Sequence, residues 1–247
     1  MSEITEDCLL GGRVTLIQPA KGHRAGTDAV LLAASAPAKA GDRVLDVGAA
    51  TGAVGLMVAA REKEMRLGFV ERDVDLAELC RRNCRANGVE ADIFVADLLD
   101  KKSRHAAALN PETADLVLTN PPFLEEGQAR ISPDRGRAAA HALPAGGLEA
   151  WLKICLSLLK PRGKLVLIHR ADRLADCVAV VGKSMGGIAI RFVHPAIDQP
   201  AIRILLSGVK GSRAPLRILP PVVLHGPDGR FNSDAEALHR GEALLVD

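Results

Sequence analysis

Asn120-Pro121-Pro122-Phe123 closes the strand-like run Ala114–Thr119 with one amide and two prolines. Proline has no N–H and holds φ at about −65°, so the pair cannot continue a sheet and forms a rigid turn at a strand's C-terminal end. Ligands of open α/β sheets bind at those ends. The turn offers the Asn120 amide oxygen, the Pro121 carbonyl and the aromatic face of Phe123. Two acceptors and a flat ring suit a planar group bearing an NH2. A plain structural turn with a buried Phe is the alternative, and the rest of the chain must decide between them.

A second group lies upstream. Leu45-Asp46-Val47-Gly48-Ala49-Ala50-Thr51-Gly52 leaves one apolar run and enters a helical pattern, and its glycines let the chain turn and a ligand reach the backbone. Glu71, roughly 25 residues beyond Asp46, ends the next apolar run, where a carboxylate can accept from two ribose hydroxyls. Asp97 follows the third run, placed to accept from an adenine amino group. Each feature alone is weak, but their order points to a nucleoside. The G-x-G-x-x-G spacing that seats a pyrophosphate is absent, and Asp46 suits a cation-bearing ligand better than a diphosphate.

These residues need a scaffold that presents strand ends. Strands are expected over Arg43–Val47, Leu67–Glu71, Ala91–Val95, Leu116–Thr119 and Lys164–His169. Helices are expected over Thr27–Ala36, Val54–Arg61, Val74–Asn87, Leu148–Leu159 and Asp172–Met185, with Lys160-Pro161-Arg162-Gly163 as a turn. Ile188–Val193 and Ile202–Val209 are joined by too few residues for a crossover and must pair antiparallel. The expected fold is α/β, a Rossmann-like, seven-stranded, mostly parallel sheet with a C-terminal antiparallel hairpin. One domain covers residues 1–247: an N-terminal extension and first helix over 1–40, a core over 41–210, and a loop with a C-terminal helix over 211–247. That last part divides into a loop at Gly211–Gly229 and a helix at Asp234–Leu245.

Composition bounds the remainder. The 247 residues are 48% hydrophobic and 25% charged, which is globular composition, and aromatics at 2% leave the core to Leu, Val, Ile and Ala. A net charge of +2 gives no global field for a polyanion, so nucleic-acid contact would rest on local groups. Three are candidates for flanking one mouth: Lys21, His23 and Arg24; Arg130, Arg135, Arg137 and His141; Lys210, Arg213 and Arg217. His169 and His194 end strands and read as structural. Five cysteines without a CxxC read as reduced cytoplasmic thiols. Cys80 and Cys84 have no further ligand at metal spacing, so no metal is expected. No apolar run approaches the roughly 18 residues of a membrane span.

Asp46-x-Gly48 through Gly52, Glu71, Asp97 and Asn120-Pro121-Pro122-Phe123 together resemble the ordered motifs of class I amino-methyltransferases. Gly26-Thr27-Asp28-x-x-Leu31-Leu32, ahead of the first strand, is similar to N6-adenine methyltransferases that modify the anticodon loop of a valine tRNA. The resemblance covers about Leu9 to Leu206, with Ala50 where the family usually has a glycine. It implies S-adenosylmethionine as cofactor, held by Thr27, Asp46, Gly48, Ala50, Gly52, Glu71, Asp97 and Asn120. It implies catalysis by Asn120, Pro121, Pro122 and Phe123 on an exocyclic amine, adenine N6 in tRNA, with Phe123 stacked on the base. The implied partner is RNA, with a homodimer left open. A protein-glutamine N5 methyltransferase acting on a release factor, an rRNA guanine-N2 methyltransferase and a non-catalytic nucleoside-binding module are the alternatives.

Overall fold

The computed structural model describes residues 3–22, 24–123, 143–144 and 146–246. Strands β3 (Arg43–Val47), β4 (Arg66–Glu71), β5 (Ala91–Val95), β6 (Ala114–Thr119) and β7 (Leu159–Arg170) lie parallel. The inner ones read as near-continuous apolar runs because helices cover both faces of the sheet, whereas β5, at the edge, is only partly buried. Strand β9 (Arg203–Lys210) inserts between β7 and β8 (Met185–His194), antiparallel to both. The order β8-β9-β7-β6-β3-β4-β5 contains the seven expected strands. Two-residue strands β10 (Arg217–Ile218) and β11 (Val222–Val223) extend the sheet along β8, within a segment expected to be loop.

The connectivity creates the crevice. The chain lays β4 and β5 on one side of β3, then returns to place β6 on the other side. That reversal leaves a gap above the C-terminal ends of β3 and β6, where no crossover covers the strand tips. Val47 pairs with Thr119, so Gly48 and Asn120 leave the sheet side by side.

Apolar layers fill both faces. On one, Leu56, Met57, Phe69 and Leu116 pack with α1 (Thr27–Ala34), α2 (Ala53–Ala59) and α3 (Val74–Ala86). On the other, Val117, Leu165 and Leu167 meet α5 (Gly147–Leu158) and α6 (Leu174–Val181). Phe69 is fully buried, whereas Phe94 is only half-buried.

Four sequence expectations change. The N-terminal extension is an antiparallel hairpin, β1 (Ile4–Leu9) with β2 (Val14–Pro19). Its outer edge is closed by α3 side chains. Asn83 accepts from the Ile17 amide and donates to its carbonyl, and Asn87 does the same for Thr15. Two amides at i,i+4 thus stand in for a neighbouring strand. A short helix, α4 (Lys101–Ala106), was not expected; it has no buried residue and starts on an Asp100 cap that accepts from the Lys102 amide. Lys160–Gly163 is looped out within β7, since Ala114 pairs with Leu159 but Leu116 with Lys164. Finally, α6 ends at Val181 and Met185 already belongs to β8, while the terminal helix α7 (Ser233–Arg240) stops at Gly241, whose φ is 68°. Among the described residues no helix is long and apolar enough to cross a membrane.

Candidate active site

The glycine-rich turn is strapped to the tip of β4. The Val70 carbonyl accepts from the Gly48 and Ala49 amides at 2.9 and 3.0 Å. Buried Glu71 accepts from the Ala50 amide through Oε2 at 2.8 Å and from the Asp73 amide through Oε1 at 2.9 Å. Each of its oxygens keeps a lone pair, which is what two ribose hydroxyls require. Asp97 sits two residues beyond Val95, the partner of Glu71 in the sheet, and its Oδ1 accepts from the Leu99 amide at 2.9 Å.

Ala50 has φ +49°, a left-handed conformation that costs a residue with a Cβ about 1 kcal/mol. Ala50→Gly is therefore expected to raise stability by about 0.5–1 kcal/mol, read as a melting temperature higher by about 1–4 °C. An unchanged or lower melting point would show that the turn is unstrained.

Asp46 is buried at 2% exposure, and its Oδ2 accepts from the Gly55 amide at 2.9 Å. Gly55 lies in the first turn of α2, where backbone N–H groups have no partner within the helix. Burial pushes the Asp46 carboxyl up to about 7, the Gly55 bond opposes this, and the charge of Glu71 adds to it. The carboxylate expected to attract a cation is thus held close to its protonated form.

The two glycines are required by the protein itself. At Gly48, with φ +77°, an added Cβ would lie 3.0 Å from Cζ2 of Trp151. At Gly52, with φ +87°, it would lie 2.7 Å from Sγ of Cys80. Trp151 then locks the two strand tips together: its Nε1 donates to Thr119 Oγ1 at 2.9 Å, and that hydroxyl donates to the Val47 carbonyl at 2.9 Å. This relay sets the spacing between the cofactor turn and Asn120. Trp151→Phe removes one buried hydrogen bond and part of an aromatic ring. We expect a loss of about 2 kcal/mol in stability and a roughly ten-fold fall in single-turnover rate. A variant that is merely less stable but turns over normally would show that the relay plays no part in alignment.

Asn120 is half-buried, and its Oδ1 is shielded from solvent with no hydrogen-bond partner among the described residues. Pro121 is buried and Pro122 half-buried. Phe123 is not a bare platform. The Arg203 guanidinium carbon lies 4.7 Å from its ring centroid, and the His169 ring lies 5.3 Å away at 33°. Arg203 is itself held by Asp28, Nε to Oδ2 at 2.9 Å. A base stacking on Phe123 would share the ring with these two groups. Thr27 is the first residue of α1, half-buried and making no capping bond, so the cap is Gly26.

The expected site residues therefore form one connected set around the β3 and β6 tips, with Thr27 joining through Asp28 and Arg203. The described basic residues Arg24, Lys210, Arg213 and Arg217 do not join it. Lys210 pairs with Met185 at the opposite end of the sheet, where its Nζ donates to the Leu159 carbonyl, and Arg213 follows it. Arg217 lies on β10, the far edge strand. Arg24 is committed to Thr5, Asp7 and the Pro19 carbonyl of the hairpin. His23, Arg130, Arg135, Arg137 and His141 lie outside the described residues. Sequence reasoning missed Trp151, Thr119 and Arg203 as site residues. A single Trp in an aromatic-poor chain was a signal for the first, and nothing local marked Arg203.

A family model described as methyltransferase small domain matches residues 23–172. The tRNA1(Val) (adenine(37)-N6)-methyltransferase of Porphyromonas gingivalis is 36% identical over 159 residues. That alignment covers 62% of this chain and 61% of the relative, so the match spans about three fifths of that protein's length. The protein of the same name from Aeromonas hydrophila is 33% identical over 217 residues, 85% of each chain. Among solved structures, an Agrobacterium tumefaciens protein described as a predicted O-methyltransferase is similar, with TM-score 0.72 and 29% identity. The match covers 89% of this chain and 99% of that one. M. jannaschii TYW2 in complex with AdoMet shares the fold at TM-score 0.58 and 13% identity, over 85% and 86% of the two chains.

Proposed function

Since this chain belongs to the methyltransferase small-domain family, we propose that it transfers a methyl group from S-adenosylmethionine to the N6 amine of adenine in tRNA, at position 37 of tRNA1(Val). The observation that carries this reading is the buried, unpartnered Oδ1 of Asn120 beside Gly48 at the switch point of the sheet. A native fold rarely leaves a buried acceptor unpaired, because doing so costs about 1–3 kcal/mol. An acceptor left unpaired there fits an N–H that arrives with the substrate.

The residues fit the cofactor. Glu71 retains acceptor capacity for ribose, Asp97 stands at the next strand end for the adenine, and Asp46 gains a counter-charge when a cation is near. S-adenosylmethionine supplies a methyl group on a positively charged sulfur. The protein's task is to make the amine a nucleophile, since its lone pair is delocalised into the ring. Asn120 Oδ1 and the Pro121 carbonyl each accept one N–H, which favours a more tetrahedral nitrogen and so stabilises the transition state more than the ground state. The nitrogen sheds its proton only after gaining the methyl, so no general base is needed. Two acceptors match an amine with two hydrogens, whereas a hydroxyl offers one. That favours nitrogen over oxygen as the methylated atom.

RNA is the proposed partner, and the base must leave its stack to reach the crevice. Tritium transfer from labelled cofactor is expected into bulk tRNA, with N6-methyladenosine as the labelled nucleoside. Label found only in a release-factor protein, or recovered as N2-methylguanosine, would overturn the adenine assignment.

A further inference from the structure

Among the described residues, three buried side-chain polar atoms lack a hydrogen-bond partner: Asn120 Oδ1, His169 Nδ1 and His239 Nε2. The last belongs to α7, where its ring stacks on Phe231. The first two are neighbours. Thr119 pairs with Leu167 across β6 and β7, so the next residues, Asn120 and Pro121, leave the sheet beside Ile168 and His169. His169 also touches the ring of Phe123, in the same turn as Asn120. Two orphaned polar atoms on adjacent strand tips, where only one other is found among the described residues, have a common explanation in one ligand that satisfies both.

The chemistry of that ligand is constrained by the imidazole. His169 is 2% exposed, and burial holds its titration down at about 4, with the charges of Arg173, Arg170 and Arg203 lowering it and Asp172 opposing them. The ring is neutral at ordinary pH, with one N–H to give and no charge to place beside a sulfonium. Adenine carries a ring nitrogen with a lone pair and no hydrogen on each side of its exocyclic amine, N1 and N7. Guanine differs, because its N2 is flanked by one N–H and one lone pair.

We propose that His169 donates a hydrogen bond from Nδ1 to a ring nitrogen beside the target amine, and so sets the turn of the base in the grip of Asn120 and Pro121. His169 is then a base-binding residue next to the clamp. The inference rests on the adenine-N6 reading above.

The test uses anticodon stem–loops of tRNA1(Val) carrying adenosine, 1-deazaadenosine or 7-deazaadenosine at position 37. The wild-type protein should lose about ten-fold or more in kcat/KM on one of the two deaza RNAs, the one lacking the contacted nitrogen. In His169→Ala, kcat/KM on adenosine should fall by a similar factor, while the deaza penalty shrinks to less than about two-fold. His169→Asn, whose amide nitrogen falls near the place of Nδ1, should restore part of both, and His169→Gln should not. Cofactor affinity equal to wild type shows that each variant is folded, and should His169→Ala not fold, the Asn and Gln variants carry the comparison. Equal rates on all three RNAs in the wild type, or an undiminished deaza penalty in His169→Ala, would overturn the proposal. If the wild-type protein fails on adenosine itself, it is the adenine-N6 reading that falls.

Discussion

Asn120→Ala should lower kcat by about 10²–10³-fold, the usual cost of removing one group that stabilises a transition state, while leaving S-adenosylmethionine affinity within about two-fold. The same substitution should not weaken the fold. Asn120 Oδ1 is buried without a partner, so the free protein bears a desolvation cost that alanine removes. We expect a melting temperature equal to wild type or higher by a few degrees, about 1 kcal/mol at most. Loss of rate with retained or increased stability is the signature of a group kept for chemistry. An ordinary buried asparagine would give the reverse, a clear loss of stability with turnover little changed. Normal turnover in a well-folded variant would remove the proposed grip on the amine. Asn120→Asp is the complementary case: it keeps an acceptor but adds a charge at the clamp, so its rate should lie between those of wild type and Asn120→Ala.

The parts of this molecule that were legible in the sequence are those whose physics is local. Arg43–Val47 appears with the expected bounds because a parallel strand buried on both faces leaves an apolar run between polar turns, and Ala91–Val95, the partly buried edge strand, still carries Ile93-Phe94-Val95 as an apolar run. The long α3 is legible for a related reason, since its apolar residues recur at helical spacing. By contrast, α4 has no buried residue to give it a period, and only Asp100 marks its start. The β1–β2 hairpin was hidden because its edge partner is made of side chains: Asn83 and Asn87 read as polar positions on a helix, yet they satisfy the backbone of Ile17 and Thr15. Lys160–Gly163 looked like an ordinary turn, and only the register with β6 shows it looped out of a continuous strand.

The site divides in the same way. Gly48, Ala50, Glu71 and Asn120 announce themselves because each stands at the end of an apolar run. What fixes their mutual position comes from far along the chain. Trp151 braces Thr119 from 32 residues away, and Asp28 holds Arg203 across 175 residues. The basic clusters show the opposite error. Lys210 and Arg217 are near the hairpin in sequence, but β9 carries its two termini to opposite ends of the sheet, which removes Lys210 from the mouth. Arg203, at the other end of that strand, is the cation that reaches Phe123.

Asp46→Asn should separate stability from cofactor affinity. Asp46 titrates at about 7 in the folded protein against 3.8 in the unfolded chain, chiefly because burial disfavours its charge. A carboxyl raised on folding stabilises fully while it is protonated in both states, and that contribution is lost as pH rises through the folded value. The wild-type protein should therefore lose stability between about pH 4 and pH 8, by roughly 4 kcal/mol at most. Asparagine keeps an oxygen for the Gly55 amide and never ionises, so the variant should escape this loss and melt up to about 10 °C higher at pH 8. Its affinity for S-adenosylmethionine should move the other way. In the wild type a cation bound near Asp46 favours the carboxylate, so affinity should rise with pH by up to about ten-fold per unit below pH 7 and level off above it, with one proton released on binding in the lower range. In Asp46→Asn the affinity should be weaker at pH 8 and flat. Calorimetry in buffers of different ionisation enthalpy counts the proton directly. A pH slope that survives unchanged in the variant would place the titrating group elsewhere, and wild-type stability that stays level from pH 5 to 8 would mean that Asp46 is already ionised in the free protein.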